Sequence, residues 1–291
     1  MRPRDAPESG PEISPRPPEH EQLHRLFRDQ ELRCGNVEEW SRPHLARLAA
    51  LQPGSFARLD GRLVGAALQD GPELLLAVAG NKPPERTAVA TELLSTHSAA
   101  LECWIATRNP DLAAALSSHG WLPSTVDLQM RLGLPPHRRP LPSGIDFVDL
   151  TGPDDAALLI GAHELANAAW GVDGSADDFL DRFVRPASYD PALWVLAYER
   201  GIPCGAAIGH LLQLPDALVG KVASLAVAPR ARGRGLGAAM LAELCHRFAS
   251  RGLPLAQLGV HEDNRSGAPA MYRHLGWEQV SSRTRWQSTR V

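Results

Sequence analysis

The segment 217–252 limits the possible folds more than any other part of this sequence. The apolar run over 217–228 predicts a β-strand, and apolar residues at steps of four predict a helix over 236–251 that ends at Gly252. Between the two lies a turn, 229–237, that is rich in arginine and glycine. A strand that passes through a short turn into an amphipathic helix is typical of α/β proteins, so the sequence predicts a sheet covered by helices.

The turn has the features of an anion-binding site. The first backbone N–H groups of a helix have no partner within the helix, and the helix dipole favours negative charge there. Glycines let the backbone approach a pyrophosphate closely, and arginines add charge-assisted hydrogen bonds to phosphate oxygens. A merely flexible connection is the alternative, and the arginines argue against it. The residues concerned are Gly233, Gly235 and Gly237, with Arg230, Arg232 and Arg234.

The spacing within this turn excludes two common nucleotide-binding motifs. The glycines form GxGxG, whereas the dinucleotide-binding fingerprint needs GxGxxG. A P-loop needs GxxxxGK followed by Ser or Thr, and the two lysines of the chain, Lys82 and Lys221, are both wrongly placed for it.

Composition narrows the function further. The chain has 291 residues, 44% of them hydrophobic, and carries 30 Lys and Arg against 33 Asp and Glu. A net charge of −3 disfavours a nucleic-acid partner, and no apolar run is long enough to predict a membrane-spanning helix. The four cysteines form no CxxC pair, which predicts no metal site and favours the reducing cytoplasm.

Proline-rich stretches predict the domain organisation. Residues 1–18 contain six prolines and almost no large apolar residue, so a disordered tail is expected. Four prolines in 134–144 predict an extended linker, which assigns 135–144 to the linker and leaves domains over 19–134 and 145–291.

The two predicted domains share a pattern. The segments 60–68 and 200–208 both read as a hairpin around a polar residue followed by glycine. Farther along, an Asn precedes a Gly-Trp pair in both halves, 11 residues before the glycine in the first and 12 in the second. An internal duplication with one shortened copy explains the pattern, and chance similarity of two α/β units is the alternative.

The second half also predicts several further elements. Strands are predicted over 145–150, 193–198, 204–212, 254–260 and 283–288, and helices over 154–169, 176–183 and 267–274.

Two motifs of the second half resemble those of the GNAT superfamily of acyl-CoA-dependent N-acyltransferases. Arg230-x-x-Gly233-x-Gly235 after an apolar strand is similar to its first motif. A pattern of six residues in this chain is similar to the family's second motif: Val260, Asn264, Ala268, Tyr272, Gly276 and Trp277. The resemblance covers 145–291 and extends over about 55–134 as a degenerate copy. This tandem arrangement resembles that of the mycothiol synthases.

The resemblance implies a mixed α/β sheet in each domain, with two parallel strands that splay apart and hold acetyl-CoA between them. The acceptor is expected to be the primary amine of a small molecule, and the protein a monomer or homodimer. Tyr272 is the expected proton donor to the leaving thiolate. The expected cofactor-binding residues are Leu225, Ala226, Val227, Arg232, Gly233, Arg234, Gly235, Leu236, Gly237, Ala238 and Asn264.

The sequence leaves the general base open. Many members of the family carry a carboxylate in the strand over 217–228, but here Lys221 and Ser224 are its only polar side chains. This absence argues against the substrate of the mycothiol synthases. The candidates are His210, His261, Glu262 and Asp263, or no base at all if the amine binds neutral.

Alternatives also remain for function and for single residues. The protein could be a non-catalytic acyl-CoA-binding or sensory protein, or a protein N-acetyltransferase. Trp170 favours a partly closed small-molecule pocket, unless it packs at a domain interface. Tyr272 could be a packed aromatic residue, and Asn264 a helix cap.

The first half retains the landmarks of the fold but lacks the chemistry. Its equivalent turn, 79–86, has no RxxGxG pattern, and two prolines remove backbone donors. Leu116 stands where the second half has Tyr272. We therefore expect a non-catalytic domain.

Overall fold

Both halves of the chain follow a similar order of strands and helices, with one additional assigned helix in the second half. The computed structural model describes residues 11–34, 45, 48–50, 54–70, 72–97, 99–151, 155–170, 175–185, 189–214 and 217–289. The first half contains β1 (Glu12–Ser14), α1 (His20–Arg33), β2 (Gly54–Leu59), β3 (Arg62–Asp70), β4 (Glu73–Val78), α2 (Pro83–Ser95), β5 (Glu102–Ala106), α3 (Pro110–Ser118) and β6 (Trp121–Gly133). The second contains β7 (Ile145–Val148), α4 (Ala156–Trp170), α5 (Ala176–Phe183), β8 (Trp194–Glu199), β9 (Ile202–Gln213), β10 (Leu218–Val227), α6 (Leu236–Ser250), β11 (Leu255–His261), α7 (Ala268–His274) and β12 (Glu278–Ser288). The predicted mixed α/β sheet is confirmed.

The chain divides into two compact units whose sheets have matching strand orders. Unit 1 has the order β1-β2-β3-β4-β5-β12, in which β4 and β5 are parallel and the other assigned pairs are antiparallel. Unit 2 has the order β7-β8-β9-β10-β11-β6, in which β10 and β11 are parallel and the strands from β7 to β10 are antiparallel. In both units, the last position belongs to a strand from the other half of the sequence.

With this exchange, the boundaries of the two units differ from those of the predicted domains. Unit 1 includes residues 261–263 and 280–289, and unit 2 begins at Gln129 rather than after the linker. The reason is that β12 pairs with β5 from Arg283↔Ala106 to Gln287↔Glu102. The sequence pattern predicts β12 as a strand but carries no information about its partner. The predicted linker, 135–144, forms no helix or strand.

The two β-hairpins that suggested a duplication have the same turn. Asp60 and Gly61 have φ of 50° and 76°, and Arg200 and Gly201 have φ of 52° and 75°. A tight hairpin turn with positive φ at both central residues matches the twist of the strands and requires glycine or a tolerant polar residue. The polar-Gly pattern therefore has the same conformational cause in both halves.

The predicted disorder of residues 1–18 is wrong for Glu12–Ser14. This segment forms β1, which pairs antiparallel with β2 over Glu12↔Arg58 to Ser14↔Phe56. Ile13 also packs against the core of unit 1, so backbone pairing and apolar burial offset the ordering entropy. Residues 1–10 lie outside the described part of the chain.

The sheet of unit 2 is covered on one face by α6 and on the other by α4 and α5. Phe248 of α6 is fully buried and occupies the space above two glycines of the sheet, Gly209 and Gly220. On the opposite face, Ile208 and Trp194 pack in one cluster with residues of α4 and α5. Among the described residues, no helix is both long and apolar enough to cross a bilayer.

Replacing Gly220 by alanine should destabilise the protein. A Cβ at this position would lie 2.3 Å from two ring carbons of Phe248, so the ring or the strand must shift. We expect the free energy of unfolding to fall by about 2 kcal/mol, the typical cost of overpacking a core. Urea denaturation measures the effect, and Gly133→Ala, where the added Cβ meets no atom within 4 Å, is the matched control. Equal stability of the two variants would contradict the packing described here.

Candidate functional site

A cavity of about 400 Å³ opens where β10 and β11 separate. The two strands pair in register over only three residue pairs, from Gly220↔Ala256 to Val222↔Leu258. Beyond this point β10 continues to Val227, with its edge toward β11 released from the parallel ladder. The lining comprises Val222, Ala223, Ser224, Leu225, Val227, Ala231, Arg232, Gly233, Gly235, Leu236, Gly237, Ala238, Leu258, Gly259, Val260, Asn264, Ser266, Ala268, Met271 and Tyr272.

A β-bulge shapes the inner end of this cavity. Val222 pairs with Gly209 of β9, but the next pair is Ser224 with Ile208, so Ala223 is an extra residue in β10. A bulge re-aims the following side chains and leaves one residue out of the ladder. It thereby brings Ser224, which is buried, to the cavity wall. Sequence reasoning missed this feature because no residue pattern in β10 marks it.

The glycine-rich turn closes the other end of the cavity. Gly233 and Gly235 have φ of 74° and 85°, and a Cβ at either residue would find no atom within 4 Å. The requirement for glycine in this structure is therefore conformational, because L-residues rarely adopt such φ values. Gly235 is the N-cap of α6, and no side chain caps the helix. The N–H groups of the first turn of α6 are thus left for a ligand, and Leu236, Gly237 and Ala238 line the cavity.

The three arginines of the turn are bound to the protein itself. Arg230 donates to the carbonyl oxygen of Pro203, and Nε of Arg232 donates to that of Val227 at 3.0 Å. Arg234 forms an ion pair with Glu199 at 2.7 Å and also donates to the carbonyl oxygen of Ser143. The hydrogen bond from Arg234 holds the pKa of Glu199 below its usual value. These contacts fix the path of the turn.

The structure brings together ten of the twelve residues predicted to act at this site. The exceptions are Ala226 and Arg234, which do not line the cavity. Ala226 is buried and lies in register with Ala206 of β9, and the Arg234 side chain is directed to Glu199. Ser224, Met271 and the bulge residue Ala223 were not predicted and belong to the lining.

Tyr272 lies on α7 in the cavity wall. Its side chain is 7% exposed and packs against Trp277, with ring centroids 6.1 Å apart. Burial raises the pKa of the Tyr272 hydroxyl to about 12. The hydroxyl is therefore protonated at neutral pH and available as a hydrogen-bond donor.

Asn264 stabilises the loop between β11 and α7. Its Oδ1 accepts hydrogen bonds from the backbone N–H of Ser266 at 2.9 Å and from the Ser266 hydroxyl. The N-cap of α7 itself is Gly267, so Asn264 caps the preceding turn rather than the helix. The cavity is lined by Asn264 as well, and the structural and ligand-binding roles are compatible.

None of the four candidate general bases lines the cavity. His210 lies on β9, opposite Lys221 in register. In unit 1, His261 stacks on Trp104, the N–H of Glu262 donates to a carbonyl oxygen of β6, and Asp263 accepts a hydrogen bond from Thr125. Residues 171–174 lie outside the described residues, and so does the side chain of Trp170.

The equivalent turn of unit 1 is closed by protein contacts. The parallel strands β4 and β5 pair over Glu73↔Glu102 and Leu74↔Cys103, as their counterparts do in unit 2. However, α2 begins with two prolines, which have no N–H to offer. Arg86 donates from Nη1 to the carbonyl oxygen of Gly80 at 2.9 Å and forms an ion pair with Asp111 at 2.5 Å. A guanidinium group and its counter-ion thus bind this turn to α3.

The comparison with known proteins identifies the class. Residues 160–277 match the model of the acetyltransferase (GNAT) family. The chain is 30% identical over 210 residues to the mycothiol acetyltransferase of Salinispora arenicola. The aligned region covers 69% of this chain and 67% of that protein. This protein therefore belongs to the acetyltransferase (GNAT) family, with two tandem copies of the fold.

Two further similarities are consistent with this assignment. The mycothiol acetyltransferase of Beutenbergia cavernae is 30% identical over 193 residues, covering 57% of this chain and 64% of that protein. The chain thus spans slightly less than two thirds of the length of this relative. The structure of a GCN5-related N-acetyltransferase from Sphaerobacter thermophilus superposes with a TM-score of 0.75 at 20% identity, over 95% of each chain.

Proposed function

We propose that unit 2 transfers an acetyl group from acetyl-CoA to the primary amine of a small molecule. The observation that carries the proposal is the cavity between β10 and β11. One end is formed by the uncapped N-terminus of α6, and a buried tyrosine lies in the wall. The names of the mycothiol acetyltransferase relatives support a small-molecule acceptor.

The shape of the cavity supports a placement for acetyl-CoA. The pyrophosphate is proposed to lie on the first turn of α6, where backbone N–H groups and the helix dipole stabilise negative charge. The pantetheine arm is proposed to run along Leu225 to Val227, whose edge is free of β11. Its amides would add to β10 as a further strand does. This places the thioester near the bulge at Ala223.

The reaction is proposed as direct attack by the amine. Its nitrogen lone pair forms the C–N bond with the thioester carbonyl carbon, and the C–S bond breaks with its electrons on sulfur. Tyr272 gives its proton to the sulfur and regains one from the ammonium group formed by the attack. Among the described residues that line the cavity there is no carboxylate and no imidazole, so the acceptor is proposed to bind as the free amine.

A screen of acetyl-CoA consumption tests this function. Amino acids, polyamines, aminoglycosides and peptides are offered in turn, and free CoA is measured as thiol. Turnover with a small amine supports the proposal, and turnover with peptides alone would favour protein acetylation. Tight acetyl-CoA binding without turnover on any amine would identify a non-catalytic acyl-CoA-binding protein instead.

One acetyl-CoA should bind per chain. Unit 2 has an open turn, whereas the prolines of α2 and the bonds of Arg86 close the turn of unit 1. Isothermal calorimetry measures the stoichiometry directly. A value of two would show that unit 1 also binds the cofactor.

The compartment is also a proposal. All four cysteines are buried free thiols, and burial raises the pKa of Cys245 to about 12. Buried thiols without disulfides are typical of a reducing environment, and on this basis we place the protein in the cytoplasm.

A further inference from the structure

Five polar side chains form a row across the sheet of unit 2, here called the polar row. Its members are Gln129 and Arg131 of β6, Gln257 of β11, Lys221 of β10 and His210 of β9. Lys221 is in register with Gln257 on one side and with His210 on the other. Arg131 donates from Nε to Oε1 of Gln257 at 2.9 Å, and Lys221 is 3.4 Å from Oε1 of Gln129.

The polar row lies on the face of the sheet away from α6. Gly220 faces Phe248 of α6, and Lys221 is the next residue, so its side chain points to the opposite face. Because of the bulge at Ala223, Ser224 lies on the same face as Lys221. Lys221 pairs with His210 and Ser224 with Ile208, and these two residues of β9 are two positions apart and so share a face. Ser224 lines the cavity, so the polar row and the cavity meet on this face.

Two groups of the polar row have unused hydrogen-bonding capacity. Gln257 is fully buried, and its Nε2 has no hydrogen-bond partner among the described residues. Arg131 is half-buried, and its single hydrogen bond to a described residue uses Nε, which leaves both terminal nitrogens. Burial lowers the pKa of Arg131, and no neighbouring carboxylate contributes to this shift. Buried donors and cations of this kind are costly without a partner.

The position of these donors defines what they can bind. The pair Lys221↔Gln257 directly adjoins Val222↔Leu258, the last pair of the ladder and part of the cavity wall. Lys221 and Ser224 are separated by about 7–10 Å along the strand. Asp127, the nearest carboxylate on this face of β6, is four residues from Arg131, about 13 Å along the strand. The donors therefore form a cationic cluster beside the inner end of the cavity.

We propose that the polar row binds the anionic group of the acceptor, so that the substrate is an amine carrying a carboxylate or phosphate. This inference rests on the proposed function. Arg131 supplies its terminal N–H groups, Gln257 its free amide N–H, and Lys221 a further positive charge. The thioester is proposed to lie near the bulge, beside Ser224. The attacking amine would therefore lie about 7–10 Å from the anionic group bound by the polar row. The polar row would then determine specificity without taking part in the chemistry.

Binding of inorganic phosphate tests the polar row without any turnover. Calorimetry at low ionic strength compares the wild type with Arg131→Gln and Lys221→Met. Each protein is measured in the presence of CoA, which covers the turn of α6, and in its absence. We expect saturable binding that weakens about tenfold or more in either variant, as expected for loss of one charge-assisted hydrogen bond. The control is Arg138→Gln, whose side chain is 78% exposed. Equal affinity of wild type and both variants would overturn the proposal.

Turnover with paired acceptors separates this proposal from the proposed function. The pair is 4-aminobutyrate and its uncharged amide, followed by longer homologues. We expect kcat/KM to favour the carboxylate at least about tenfold in the wild type, and Arg131→Gln to remove the preference with KM for acetyl-CoA unchanged. Equal transfer to both members of the pair would overturn the specificity and leave the proposed function intact. No transfer to any amine, with phosphate binding present and sensitive to Arg131, would overturn only the proposed function.

Discussion

Replacing Gly235 by glutamate should reduce acetyl-CoA affinity by about 100-fold or more. The new carboxylate would stand at the N-cap of α6, where the cofactor phosphates are proposed to bind, and would repel them. It would also compete for the N–H groups of the first helical turn. Loss of two charge-assisted hydrogen bonds, each contributing about 1.5 kcal/mol or more, gives a change of this size. Isothermal calorimetry with acetyl-CoA measures it.

Gly252→Glu is the matched control for this variant. Gly252 also has a positive φ, 76°, and a Cβ there meets no atom within 4 Å. Both variants carry the same added charge and the same backbone strain, about 1–2 kcal/mol. Gly252 follows the other end of α6, so its variant should bind acetyl-CoA normally. Normal binding by folded Gly235→Glu would contradict the placement of the phosphates.

Replacing Tyr272 by phenylalanine should lower kcat by about 10²- to 10⁴-fold, the usual contribution of a positioned proton donor. The ring and its contact with Trp277 remain, so stability and acetyl-CoA affinity should change little. A fall in kcat without a change in binding is the signature of an interaction made mainly in the transition state. Steady-state kinetics and calorimetry on the same preparation distinguish the two effects.

The pH profile and a control variant complete this test. Because burial raises the pKa of Tyr272 to about 12, the hydroxyl stays protonated throughout the accessible range. Turnover should therefore show no decline from tyrosine ionisation below about pH 10. Tyr198→Phe is the control, because Tyr198 lies on β8 outside the cavity lining. If the Tyr272 and Tyr198 variants both retain turnover within about threefold of the wild type, below the range for a proton donor, Tyr272 is structural.

The sequence predicted the features of this protein that depend on local chemistry. The polar-Gly hairpins, the strand before the turn and the helix after it all follow from residue patterns within about fifteen positions. Gly233 and Gly235 were predicted because they allow close approach of the backbone to a pyrophosphate, whereas the structure shows that positive φ is what requires glycine there. Most of the turn residues in the cavity lining, and Tyr272 of α7, were predicted.

Features that depend on pairing between distant segments could not be predicted. The bulge at Ala223 arises from the register between β10 and β9, and the polar row from the register of four strands. Nor did the sequence show that the turn arginines would bind Pro203, Val227 and Glu199 instead of remaining free. The local residue pattern does not predict that the residues joined by each of these contacts lie close together.

Because the terminal strands are exchanged, we expect that neither half of this chain folds as an autonomous module. A fragment beginning at residue 145 would lack β6, so the edge of β11 would lose its neighbour and expose unpaired N–H and C=O groups. Its β12 would lack β5, the partner with which it forms an antiparallel ladder. The copy that is proposed not to bind acetyl-CoA should therefore be retained, since the copy that is proposed to bind it depends on the first half for one strand of its sheet.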